Sequence, residues 1–125
     1  MSEEIPAAVQ RLIAERLDSI PELEAVLLFR EDSARAWTAE EAGRRLYVST
    51  PVAAHILSTL GQRGFLVERD DLYRYAPESD ELAAAVDQLS VAYRRRLVDV
   101  THMVHSKPSR NVREFADAFR FRRPR

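Results

Sequence analysis

The order of segments between Thr38 and Tyr75 constrains the fold more than any other feature of the chain. Thr38-Ala39-Glu40-Glu41 has the spacing of a capping box, in which the Thr hydroxyl and the Glu carboxylate reciprocally satisfy free amides at a helix start. The helix it opens carries Ala39, Ala42, Gly43 and Leu46 at i, i+3, i+4 and i+7, with Glu40, Glu41, Arg44 and Arg45 turned to solvent. Small side chains at 39, 42 and 43 let another helix approach closely. Tyr47-Val48-Ser49 reads as a tight turn; Ser49 is a good N-cap, and Pro51 lies in the first turn of the next helix, where its missing amide costs little. That second helix runs to Arg63 and stops at Gly64. Phe65 to Glu68 and Leu72 to Tyr75 then alternate as strands, with Arg69-Asp70-Asp71 as the turn between them.

The flanking segments are helical in pattern. Pro6 opens a short helix with Val9, Leu12, Ile13 and Leu17 on one face. Ser19-Ile20-Pro21-Glu22 is a second capping box, heading a helix whose Leu23, Val26, Leu27, Leu28 and Phe29 predict the most buried element. Trp37 bridges to Thr38. After Pro77 and Ser79, one long helix is predicted from about Asp80 to His105, with Leu82, Val86, Leu89, Tyr93, Leu97, Val100 and Val104 in line. Their spacing averages about 3.67 residues per turn, which keeps the stripe on one side and requires a partner surface, most simply a second copy of the chain. A last helix from about Arg110 to Phe121 presents Val112, Phe115, Ala116 and Phe119. The expected divisions are an N-terminal helical extension (1–18), a capped-helix and hairpin domain (19–77), the long helix as a dimerisation element (78–106) and a basic C-terminal helix and tail (107–125).

Composition narrows the function classes. With 125 residues the chain holds one ordinary core, and its net charge of −1 excludes a globally basic nucleic-acid binder. The charge is unevenly spread: residues 1–76 carry nine Arg against thirteen acidic residues, whereas residues 107–125 carry seven basic residues against Glu114 and Asp117. The absence of Cys removes disulfides, thiolate metal sites and cysteine nucleophiles. No Gly-rich phosphate loop and no nucleophile with a matching base is present among only three Gly, so the chain is not expected to be an enzyme and needs no cofactor. The acidic start Met1-Ser2-Glu3-Glu4 and the short apolar run Ala25 to Phe29 predict a cytoplasmic protein with no membrane-spanning segment.

Trp37-Thr38-Ala39-Glu40-Glu41-Ala42, Val48-Ser49-Thr50-Pro51-Val52-Ala53 and Leu60-Gly61-Gln62-Arg63-Gly64-Phe65-Leu66 together resemble the small dimeric bacterial winged helix-turn-helix regulators of MarR-like and PadR-like architecture, over about residues 20–76. The resemblance implies a mostly α fold with a small β-hairpin wing, an N-terminal helix and a long C-terminal helix. It also implies that the second helix of the motif enters the major groove of duplex DNA and that the wing touches the backbone or minor groove. On a helical wheel, Ala53, Ile56, Leu57 and Leu60 face the core, leaving Pro51, His55, Ser58 and Gln62 on the reading face with Thr50 beside them. Arg44, Arg45, Arg63, Arg69 and Arg74 are the expected phosphate contacts, offsetting an acidic wing tip of Asp70-Asp71.

Other features carry competing readings. The winged domain could instead be a scaffold for protein contacts, without DNA. Asp99, His102 and His105 follow at i, i+3 and i+6, a spacing that reaches a divalent metal but that the helix dipole also favours unliganded; no metal is assigned. The Arg94-Arg95-Arg96 belt fits a phosphate, an acidic partner or plain solvent. For the Phe- and Arg-rich ending three uses remain open: docking back on the domain, binding a protein partner, or contacting a membrane surface or nucleic acid.

Overall fold

The computed structural model describes residues 4–107. Among them lie six helices and one antiparallel hairpin, in the order α1 (Ala7–Arg16), α2 (Ile20–Glu31), α3 (Ala39–Leu46), α4 (Thr50–Gln62), β1 (Leu66–Arg69), β2 (Leu72–Tyr75), α5 (Asp80–Arg95) and α6 (Leu97–His105). The anticipated helix over 110–121 and the rest of the basic tail beyond Lys107 lie outside the described residues.

Caps account for most of the starts. Thr38 Oγ1 accepts the Glu41 amide at 3.1 Å while Glu41 Oε1 accepts the Thr38 amide at 2.9 Å, the complete reciprocal box. Ser49 and Ser79 accept the amides of Val52 and Leu82. The box expected at Ser19 is half made. Ser19 Oγ accepts from Glu22 N–H, but the Glu22 carboxylate reaches past Ser19 to the Asp18 amide and to Arg63, which draws it toward α4.

One core unites the elements. Val9, Leu12, Ile13 and Leu17 from the N-terminal segment meet Leu23, Ala25, Val26 and Phe29 of α2, with Leu57 and Leu60 of α4, Phe65, and Leu82, Val86 and Leu89 of α5. Leu27 and Leu28 are only partly covered. Trp37 is buried against Phe29, ring centroids 5.4 Å apart, and pairs its backbone with Tyr73 through two 2.8 Å hydrogen bonds. That isolated bridge adds a third short rung beside the two-stranded sheet.

The single long C-terminal helix is not what forms. Arg96 leaves the helical region at φ −129°, ψ 50°, ending α5 on the Ala92 carbonyl and starting α6, whose first turn it anchors by a guanidinium bond to Asp99. The break reorients the stripe. Leu82, Val86, Leu89, Val100 and Val104 are buried within the chain, on α1 and the rest of the core, whereas Leu97 is exposed. Most of the stripe expected to meet a second copy is therefore covered by the chain's own helices.

Candidate nucleic-acid interface

The α3–turn–α4 unit is built around close backbone approach. A Cβ on Gly43 would stand 2.9 Å from the Val48 carbonyl oxygen and 3.3 Å from Ala53 Cβ, so only glycine lets α3 seat against α4 there. Gly43 also receives the turn: its carbonyl accepts the amides of Tyr47 and of Val48. Closing the helix this way drives Tyr47 into the left-handed region at φ 61°, ψ 40°, a conformation that costs a non-glycine residue about 1–2 kcal/mol.

Beyond that turn α4 divides as the wheel requires. Ala53, Ile56, Leu57 and Leu60 are buried; Thr50, Pro51, His55, Ser58 and Gln62 are all exposed. Hydroxyl, imidazole and amide groups therefore stand along one open face, able to donate to or accept from base edges.

The hairpin sorts its side chains by register. Leu66 pairs with Tyr75 and Glu68 with Tyr73, and from this set Leu66, Tyr73 and Tyr75 reach the core; Val67 pairs with Arg74 and Arg69 with Leu72 on the exposed side. Arg69 and Arg74 take no ionic partner among the described residues. With Ala36, Val67, Asp70 and Leu72 they line a small hollow of about 120 Å³. The turn is tighter than the three residues expected. Asp70 and Asp71 alone form it, both at positive φ (54° and 65°), and the Glu68 carboxylate ties down the Asp71 amide. Tyr75 is half-buried, and burial pushes its hydroxyl up to about 12, with Asp87 adding to the effect and Arg30 opposing it.

The remaining arginines part company. Arg44 is exposed and leans on Glu40 at 3.4 Å, a solvated pair that a phosphate can displace. Arg45 lies 5.7 Å from the Trp37 ring centroid, and Arg35 stacks on the same ring at 3.6 Å. Arg63 is a correction. Its side chain is only 17% exposed, held by Glu22 Oε1 at 2.8 Å, Asp18 Oδ2 at 3.1 Å and the Arg16 carbonyl at 2.8 Å. Arg63 is a clamp between α4 and the α1–α2 junction and is not available to a phosphate.

Lys107, the chain's one lysine, belongs to the same junction, donating to the Ile13 and Leu17 carbonyls and to Asp18. Its role was hidden in the sequence, where it read as part of the basic tail. Asp99, His102 and His105 do not assemble: Asp99 takes Arg96, and no group of three or more potential metal ligands occurs among the described residues. No helix among them is long and apolar enough to cross a membrane.

No protein-family model, curated protein or solved structure matches the chain. Function is therefore read from the geometry above. Beyond the residues expected to read DNA, one stands out: Tyr47, expected only as a turn residue, is 94% exposed.

Proposed function

We propose that this chain is a non-catalytic winged helix-turn-helix protein that binds duplex DNA and regulates transcription in the cytoplasm. The observation that carries the reading is α4, whose Thr50, Pro51, His55, Ser58 and Gln62 form an exposed face bearing hydroxyl, imidazole and amide groups while the opposite face is locked into the core. An element held on one side and open on the other is what major-groove reading requires. Arg44 on α3 and Arg69 and Arg74 on the hairpin supply the phosphate-neutralising charge, with Arg45 in reserve once it swings from Trp37.

In this reading the protein acts as a homodimer, with its recognition helices about 34 Å apart. The surface available for association is the outer side of the α5–α6 junction, where Val91, Leu97 and Val98 are exposed. Along α5 the exposed charges change sign, from Asp80, Glu81 and Asp87 to Arg94 and Arg95, so two copies packed antiparallel present opposite charges to each other.

Fluorescence anisotropy at low salt, with duplexes from the region upstream of the protein's own gene and a random duplex, tests the function. Binding to both with preference for the upstream DNA is expected; no binding to either rejects it. The second reading, a protein-binding scaffold, is favoured by the exposed Val52, Val67 and Leu72. It expects capture of a protein partner to survive His55→Ala and Ser58→Ala and to fail when Val67 and Leu72 are changed to Ser.

A further inference from the structure

Tyr47 combines two unfavourable features with no compensation among the described residues. Its backbone sits at φ 61°, where glycine is the residue without steric cost, and its ring is the most exposed large hydrophobic side chain among the described residues. The αL position itself is dictated by α3, which must end on the Gly43 carbonyl so that α4 can pack across Gly43. That requirement explains the turn but not the tyrosine, since a glycine or an asparagine would make the same turn with less strain. No hydrogen bond or ring contact is made by the Tyr47 side chain among the described residues.

The ring stands two residues before the Ser49 cap, at the end of α4 where the helix dipole is positive and where Thr50 and Pro51 begin the open face. Val52, in the same first turn, is also exposed. An aromatic ring with a phenolic hydroxyl at that edge matches a sugar-phosphate backbone: the ring covers the apolar deoxyribose and the hydroxyl donates to a phosphate oxygen. We infer that Tyr47 is a direct DNA contact, an anchor that seats the N-terminal turn of α4 against the backbone at the rim of the major groove. The inference rests on the DNA-binding reading and adds to it a residue chosen for contact against the preference of its own backbone.

The strain makes the test unusually clean. Tyr47→Gly relieves the φ 61° conformation, so the variant is expected to melt no lower than the unaltered protein while its duplex affinity falls tenfold or more. Tyr47→Phe, which keeps the ring and loses the hydroxyl, is expected to fall between the two. Anisotropy titrations of the three proteins on one duplex, paired with thermal melts, read both quantities. Equal affinity of the unaltered and Tyr47→Gly proteins overturns the inference and leaves DNA binding intact. A parallel loss of affinity and melting temperature overturns it too, because Tyr47 would then be supporting the fold. If the unaltered protein binds no duplex, the functional reading and this inference fall together.

Discussion

Arg63 shows how neighbours decide what a charge does. In the sequence it is one of several arginines beside a would-be reading helix; in the fold it spans Asp18, Glu22 and the Arg16 carbonyl, largely withdrawn from water. Removing one partner from a set of mostly buried charges leaves the others uncompensated, so Arg63→Ala is expected to cost roughly 3 kcal/mol in chemical denaturation. Its duplex affinity, measured where the variant is folded, should change little. Glu41 offers a pH handle. The Thr38 amide, above all, holds its carboxyl below the ordinary value of 4.5, with help from Arg35 and Arg44 and against the opposing effect of desolvation. Because the folded value is the lower one, the cap's contribution is complete above pH 4.5 and is lost as pH falls through the folded value. Melting curves taken on either side of that pH should show the loss in the unaltered protein and a smaller pH dependence in Glu41→Gln.

At the level of elements, the break at Arg96 decides where apolar surface goes. Leu89 is fully buried inside one chain, whereas Val98 is 77% exposed. Leu89→Ala is therefore expected to lose about 2–5 kcal/mol of stability, while Val98→Glu should leave the protomer folded and convert a dimer to a monomer in sedimentation. An unchanged mass for Val98→Glu, with the unaltered protein dimeric, would move the association surface elsewhere. The boundaries of α2, α3 and α4 were legible because Ser, Thr and Pro mark them locally, and the buried set of α4 followed from its 3.6-residue period. The break was not legible. Tyr93-Arg94-Arg95-Arg96-Leu97 holds no Pro or Gly, and the apolar spacing runs on through it; the break goes with tertiary contacts of α6 to α1 and α2 that local sequence does not display. Tyr47 was half visible: its place in a turn could be read, but its positive φ and exposure arise from how α3 closes on Gly43. The Glu22 carboxylate's second partner was not legible for a similar reason, since Arg63 lies far along the chain.

At the scale of the whole molecule, charge is the deciding issue for a DNA binder. The chain is nearly neutral, and its hairpin tip is acidic, so attraction to DNA requires local basic groups, and among the described residues Arg69 and Arg74 are two that the fold leaves without an ionic partner. Arg69 and Arg74 project from the exposed side of the hairpin, away from the tyrosines that join the core. A phosphate contact of this kind leaves a thermodynamic mark, because each neutralised phosphate releases condensed counterions and steepens the fall of affinity with salt by about 0.9 in log–log slope. The most direct measurement is therefore the salt dependence of duplex affinity for the unaltered protein and for the double variant Arg69→Ala, Arg74→Ala. The expected result is measurable binding whose slope becomes shallower by about 2 in the variant. No binding by the unaltered protein, or an identical slope in both, would contradict the proposal that the hairpin and α4 together hold DNA.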